Sequence, residues 1–212
     1  MIESTLAETV VRYFEERGFT IYQEVVARFG RADIVAVNGP VAAIIEVKTS
    51  MGLALLAQTA NWLGYANIVY AAAPYPRERQ YVERIAREQG FGLIAVGRGF
   101  EPKEFVAPRF YRVKAPIRKA LHEEQRTFAK AGNSGSRFWS PWQETCRQVR
   151  GTVKTRMTMA ELVARIKHHY GTTGTARTCL AKWIECGKIP GVRLVREGRS
   201  VFVEAVASGE GG

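Results

Sequence analysis

An aspartate and a Glu-x-Lys pair lie close together near the start of this sequence. Asp33 stands in the apolar run RADIVAV, and twelve residues separate it from Glu46 in the run VAAIIEVKT. Alternate side chains of an extended strand share one face, so Glu46 and Lys48 are expected on the same side. Two carboxylates and the backbone carbonyl of Val47 supply oxygen ligands for a hard divalent cation. Such a cation activates water and stabilises charge on a phosphate, while Lys48 orients the water, helps to deprotonate it or neutralises developing charge.

A helix and three strands are predicted around these residues. The helix is expected over residues 3–17, and the strands over residues 20–26, 31–37 and 41–49. An Asn-Gly pair separates the last two strands and predicts a hairpin. The last strand is almost continuously apolar, which favours a central position buried on both faces. Unpaired charges are costly there, so either Glu46 and Lys48 pair with each other for structural reasons or they take part in chemistry.

The pattern downstream predicts an α/β fold. A helix is expected over residues 51–63, a strand over 66–74, a helix over 76–89, a strand over 91–97, and two short strands, EFVAP and RFYRV, before residue 115. In this order a helix and a group of antiparallel strands are followed by helices that alternate with single strands. Such an order is typical of a mixed sheet flanked by helices. Trp62 and Tyr65 are expected to pack in a core rather than to stack on bases.

The arrangement of Asp33 and Glu46-Val47-Lys48 resembles the PD-(D/E)XK nuclease superfamily. It is similar to the restriction-endonuclease-like branch that includes archaeal Holliday-junction resolvases, over about residues 3–100, with Ala32 where the motif proline often stands. The resemblance implies that Asp33 and Glu46 bind Mg²⁺ or Mn²⁺ and that Lys48 assists the nucleophilic water. Gln58, ten residues after Lys48, matches a Gln that the family often places facing the active site.

Many members of that superfamily also place a glutamate of the first helix near the metal. At 100° per residue, Glu3 falls on the apolar face of the predicted helix, whereas Glu8 falls on the opposite side. We therefore expect Glu3 to be the accessory acid. Glu24, on the first predicted strand, is a second candidate for that role.

Charge is distributed unevenly along the 212 residues, whose formal net charge is +11. Residues 1–108 carry 11 Lys/Arg against 12 Asp/Glu, whereas residues 109–212 carry 20 against 8. Such asymmetry predicts that the second half meets a polyanion, with nucleic acid favoured over a membrane surface. No apolar run approaches the roughly 20 residues that cross a bilayer. Three cysteines and an acidic amphipathic N-terminus, unlike a signal peptide, favour a reducing cytoplasm.

Four regions are predicted. Residues 1–115 form the nuclease-like domain, 116–157 a basic connector with a helix over 116–130 and a Gly/Ser linker over 131–138, 158–206 a winged helix-turn-helix-like domain, and 207–212 a disordered tail. Thr158 and Glu161 have the spacing of a capping box. A second helix over 175–186 and a hairpin around Glu197-Gly198 complete the order of a winged helix.

Basic side chains of the predicted winged helix are candidates for contacts with DNA. They are Arg177, Lys182, Lys188, Arg193, Arg196 and Arg199. His168, His169, Cys179 and Cys186 lack the spacing of a zinc site, so they are interpreted as structural residues.

The sequence therefore predicts a metal-dependent endonuclease that cuts double-stranded or branched DNA. A phage or another mobile element is one source of the protein that this prediction allows. Symmetric cutting of both strands needs two active sites, which favours a homodimer. Two alternatives stay open: a DNA-binding protein on a catalytically idle nuclease scaffold, and a phage assembly or interaction protein.

Overall fold

The computed structural model describes residues 2–76, 78–97, 101–127, 131–132, 139–198 and 200–206. The chain forms two compact units, Met1–Trp139 and Ser140–Gly212, called here the N-terminal and C-terminal units. None of the described helices combines the length and apolar character that a bilayer crossing requires.

The N-terminal unit contains a six-stranded mixed sheet with helices on both faces. Its elements are α1 (Glu3–Glu15), β1 (Thr20–Ala27), β2 (Gly30–Asn38), β3 (Val41–Val47), α2 (Leu53–Ala60), β4 (Ile68–Ala73), α3 (Arg79–Gln89), β5 (Gly92–Ala95) and β6 (Lys103–Val106). The strands lie in chain order; β3, β4 and β5 are parallel to one another, and the other neighbours are antiparallel. The predicted α/β class, with a mixed sheet flanked by helices, is confirmed.

Each face of the sheet carries its own apolar core. Strand β3 alternates between them, since Ile44 packs with α2 and α3 whereas Ile45 and Val47 pack with α1. The alternation shifts in β1, where Tyr22 and Val25 contact the same core although they are three residues apart. One of the two residues between them, Glu24, has a backbone φ of 55°, which turns the strand locally. The irregularity therefore falls where β1 passes the acidic residues.

The C-terminal unit packs three helices against a three-stranded sheet. Its elements are α4 (Pro141–Thr152), β7 (Met157–Thr158), α5 (Met159–Arg165), α6 (Thr173–Glu185), β8 (Val192–Glu197) and β9 (Ser200–Ala205), with the strand order β7-β9-β8. The capping box is present, because Thr158 Oγ1 accepts from the Glu161 backbone N–H and the Glu161 carboxylate accepts from the Thr158 N–H. The hairpin predicted around Gly198 also forms.

The predicted helix over residues 116–130 is wrong. The described part of that segment forms two short 3₁₀ helices, Pro116–Ala120 and Glu123–Arg126. Tertiary contacts override helical propensity here, since Ile117 is buried in the sheet core and Arg118 donates to the carbonyl oxygens of Gly39 and Val41. The strand predicted at RFYRV does not form either.

The two units divide the chain differently from the predicted connector over 116–157. The 3₁₀ segment packs on the N-terminal unit, whereas α4 contributes Val149 and Val153 to the core of the C-terminal unit. Of the predicted linker, residues 131–132 are described and residues 133–138 lie outside the described residues, as does the predicted tail over 207–212.

Candidate active site

Asp33 and Glu46 face each other across two antiparallel strands. The pairs Ile34–Ile45 and Val35–Ile44 set a register that continues to Asp33 opposite Glu46. Asp33 is 6% exposed and Glu46 is fully buried. The backbone N–H of Val47 donates to Asp33 Oδ2 over 2.9 Å, which fixes the carboxylate at the end of β3. Two acidic groups are thus held together at buried positions of the sheet.

One carboxylate oxygen of Glu46 accepts a hydrogen bond and the other does not. The indole N–H of Trp62 donates to Glu46 Oε1 over 2.6 Å. Glu46 Oε2 is buried without a hydrogen-bond donor among the described residues. Burial, followed by the charge of Asp33, raises the pKa of Glu46 to about 9, although the Trp62 N–H and the charge of Lys48 act in the opposite direction. Near neutral pH, and without a cation, Glu46 therefore holds a proton that it can donate to Asp33.

Burial also raises the pKa of Asp33, despite the Val47 N–H and the charge of Lys48. Two carboxylates this close cannot both ionise without cost, because each disfavours the charge on the other. The pair therefore shares a proton unless a cation replaces it.

Lys48 extends the acidic cluster toward α1. Its ammonium Nζ lies 3.0 Å from Glu3 Oε1, and its backbone N–H continues the parallel pairing by donating to Ala72 over 3.1 Å. Burial alone would lower the pKa of Lys48, but the hydrogen bond to Glu3 and the charge of Asp33 outweigh it, so the pKa is raised. Lys48 is consequently a charged group here. Glu8, on the other side of α1, is exposed.

Glu24 lies on the opposite side of Asp33 from Glu46. The β1–β2 pairs Gln23–Ile34 and Val25–Ala32 flank the position where Glu24 meets Asp33. Glu24 is 2% exposed, and its Oε2 lies 2.7 Å from Arg31 Nε. Burial raises the pKa of Glu24 more than the Arg31 charge lowers it. Both accessory acids predicted from the sequence therefore adjoin the Asp33 cluster.

Residues 131–132 lie against the first turn of α1, beside the accessory acids. The Ala131 N–H donates to the side chain of Gln23 over 2.8 Å, and the Gly132 N–H contributes a hydrogen bond to Glu24. A Cβ on Gly132 would lie 2.6 Å from the backbone carbon of Glu3. Only glycine allows this approach, and sequence analysis missed it because it assigned the segment to a linker.

Gln58 and Trp62 differ in how they contact the acidic residues. Gln58 is half-buried on α2, but the hydrogen bonds that hold the acidic residues do not include it. Trp62 was expected to be a core residue; it is buried and also donates to Glu46. A buried indole N–H usually finds an acceptor, and Trp62 follows Gln58 by one helical spacing. The indole N–H and this spacing were the sequence features that could have indicated the contact of Trp62 with Glu46.

The basic residues predicted to contact DNA differ in their surroundings. Arg177, Lys182 and Lys188 are exposed. Arg193 is paired with Glu204 at 2.8 Å and Arg196 with Glu185 at 3.2 Å. Arg199 lies outside the described residues.

Across the described part of the chain, no three His, Cys, Asp or Glu side chains gather in a metal-ligating group. The oxygen donors that fit a hard cation are Asp33, Glu46 and the carbonyl of Val47, and the donor-free Glu46 Oε2 is the observation that supports this fit. No family model, curated protein or solved structure matches this chain.

Proposed function

We propose that this protein is a metal-dependent DNA endonuclease of the PD-(D/E)XK type. The observation that carries the proposal is the buried Asp33–Glu46 pair with its donor-free oxygen, beside a charged Lys48. A buried acidic pair lowers the stability of a fold unless it binds something. Its position at the end of β3, next to a lysine, suits a phosphodiester substrate.

Asp33, Glu46 and the Val47 carbonyl would hold Mg²⁺ or Mn²⁺. When bound, such a cation lowers the pKa of a water molecule and stabilises charge on the scissile phosphate. The protein's own contribution is to hold the ligands before the cation arrives: the Val47 N–H fixes Asp33, and the Trp62 N–H fixes Glu46. Preorganised ligands of this kind reduce the cost of assembling the site.

Lys48 would neutralise the phosphate and orient the attacking water. Its raised pKa favours this electrostatic role over proton abstraction. Glu3 holds the ammonium at 3.0 Å and thereby limits where it can reach. Glu24, paired with Arg31, lies beside Asp33 as an accessory acid, and Gln58 would contact the water or a phosphate once the substrate is bound.

The architecture of both units supports the same proposal. A restriction-endonuclease-like reading of the N-terminal unit rests on α1, the β1–β2–β3 meander and the parallel crossover to β4. The C-terminal unit consists of a helix, a strand, two helices and a hairpin, with the strand order β7-β9-β8. This order of elements suits a winged helix. Its exposed Arg177, Lys182 and Lys188 would contact phosphates, and Arg199 would join them.

The substrate would be double-stranded or branched DNA, and a homodimer would supply the two active sites needed to cut both strands. The test is cleavage of supercoiled plasmid and of a synthetic four-way junction with Mg²⁺, Mn²⁺ or EDTA. Asp33→Asn and Lys48→Ala should abolish metal-dependent cutting, whereas Glu8→Gln, an exposed change on α1, should not.

The alternatives give different results in the same assays. Intact, salt-sensitive DNA binding with no cutting by the unmodified protein would favour an idle scaffold. Absence of both cutting and DNA binding would favour an assembly or interaction protein. Cutting that survives Asp33→Asn would refute the assigned site.

A further inference from the structure

The C-terminal unit contains an aromatic cavity that the proposed cleavage reaction does not use. The cavity has a volume of about 540 Å³, within the range of about 300–1,000 Å³ typical of ligand pockets. It is lined by Trp142, His169, Tyr170, Cys179, Trp183 and Lys188. Four of these six side chains are rings, on three different segments: the start of α4, the α5–α6 loop and the last turns of α6.

The rings contact one another in a row that forms one wall of the cavity, and neighbouring rings are tilted by 58° (Trp142–Trp183), 85° (Trp142–His169) and 35° (His169–Tyr170). Trp142 and Trp183 have centroids 5.5 Å apart, Trp142 and His169 6.1 Å, and His169 and Tyr170 4.0 Å. A ring inserted between two others needs a separation of about 7 Å, twice the base-stacking repeat. A ligand ring would therefore stack on the outward side of this wall. Trp183 is 36% exposed, so the wall reaches the surface.

Two polar groups belong to the wall, the His169 imidazole and the Tyr170 hydroxyl. Thr145 Oγ1 lies 2.8 Å from His169 Nδ1 and fixes the imidazole, leaving Nε2 for another partner. The Tyr170 hydroxyl is buried, and the donor that acts on it is the Trp183 side chain of the same wall, at a geometry short of a full hydrogen bond. An aromatic wall with a few fixed polar groups is the usual composition of a site that binds a flat, hydrogen-bonding ring.

Charge selects the kind of ring. Lys188 stands at the cavity, and residues 140–212 carry twelve Lys/Arg against six Asp/Glu. Aromatic rings also attract organic cations, but the excess of positive charge in this unit disfavours a cationic ligand. It favours a ring that carries a phosphate, whose anion Lys188 can contact. A nucleobase within a nucleic-acid strand meets both requirements.

We propose that this cavity stacks an unpaired nucleobase, with its phosphate on Lys188. The side of α6 that carries Arg177 would contact paired DNA, while the side that carries Trp183 would hold a base that has left the duplex. Unpaired bases occur at branch points, gaps and ends, so the cavity would direct the protein to such DNA. This proposal shares with the proposed function only the expectation that the C-terminal unit contacts DNA, and it does not depend on cleavage.

The test uses the full chain in EDTA, where cleavage is excluded. A single-stranded oligonucleotide with one 2-aminopurine, and a duplex of the same sequence, are titrated while 2-aminopurine fluorescence and binding anisotropy are followed. The unmodified protein should quench 2-aminopurine in the single strand. Trp183→Leu, which keeps an apolar side chain, should remove the quenching and weaken single-strand binding about tenfold, while duplex binding changes less than twofold.

Two further variants make the result specific. Trp183→Phe restores a ring and should recover most of the quenching, while Phe110→Leu, at an exposed aromatic of the N-terminal unit, should have no effect. Equal loss of single-strand and duplex binding in Trp183→Leu would overturn the proposal. Binding without quenching, the result expected if the cavity accepts a protein side chain instead, would also overturn it. If the unmodified protein quenches 2-aminopurine but does not cut DNA in Mg²⁺, only the proposed nuclease activity is refuted.

Discussion

The raised pKa of Glu46 predicts an unusual dependence of folding stability on pH. The ordinary pKa of a glutamate is near 4.5, and the folded value is about 9. Between these values the folded protein holds one proton that the unfolded chain has released. Unfolding is then accompanied by loss of a proton, so stability is complete below about pH 4.5 and is lost as pH rises toward 9. The slope is on the order of 1 kcal/mol per pH unit.

Glu46→Gln removes this titration with little change of shape. The amide oxygen can still accept from the Trp62 N–H, and the amide N–H can donate to Asp33 as the protonated acid does. In EDTA, the unmodified protein should lose several kcal/mol relative to Glu46→Gln between pH 5.5 and 8.5. The difference between the two proteins isolates the titration of the coupled Asp33–Glu46 pair, since the groups outside this pair titrate in both.

Urea unfolding read by pulse proteolysis measures the difference, with fragments of the N-terminal unit followed separately because the chain has two units. Glu88→Gln, at an exposed position of α3, is the control and should run parallel to the unmodified protein. Parallel curves for Glu46→Gln would show that Glu46 is already ionised and would refute the reasoning. Mg²⁺ should remove the pH slope in the unmodified protein, because the cation displaces the proton.

Three further outcomes are expected. Trp62→Phe leaves Glu46 Oε1 without its donor, so the free energy of unfolding should fall by about 1–3 kcal/mol and metal-dependent cleavage should weaken, as urea unfolding and plasmid cutting would measure. Gly132→Ala places a Cβ 2.6 Å from the Glu3 backbone, so it should displace Glu3 and reduce cleavage more than it reduces stability. Arg177→Ala should lower the salt dependence of DNA binding by about one phosphate contact, as titrations at several salt concentrations would measure.

Matched variants separate these effects from general damage. Gly171→Ala meets nothing within 4 Å and should leave cleavage unchanged. Arg196 is already paired with Glu185, so Arg196→Ala should change the salt dependence less than Arg177→Ala does. If Gly171→Ala reduced cleavage as much as Gly132→Ala does, the close approach of Gly132 to Glu3 would be contradicted. If Arg196→Ala changed the salt dependence as much as Arg177→Ala does, the pairing of Arg196 with Glu185 would be contradicted.

Local patterns predicted much of the architecture. The Asn-Gly turn after β2, the capping box at Thr158 and the turn at Gly198 each depend on a few neighbouring residues, and each forms. Helical geometry alone separated Glu3 from Glu8, and Glu3 is the one that lies beside Lys48. These features are accessible from sequence because their determinants lie within one element.

Features set by distant contacts were not predicted. The segment after residue 115 has a helical pattern, but the carbonyl oxygens that Arg118 contacts belong to residues more than seventy positions earlier. Gly132 packs on Glu3 from the other end of the unit, and Trp62 reaches Glu46 across sixteen residues. No periodicity or spacing rule encodes such pairs, so they require the folded coordinates.

The balance of charge in the acidic cluster argues against a purely structural ion pair between Glu46 and Lys48. A structural role would pair Glu46 with Lys48, but the short contact of Lys48 is with Glu3. Arg31 is paired with Glu24 in the same way. If all four carboxylates of Glu3, Glu24, Asp33 and Glu46 ionise, these two cations leave a charge of −2, located on the two most central acids. A proton between Asp33 and Glu46 removes half of that charge, whereas one divalent cation would remove all of it.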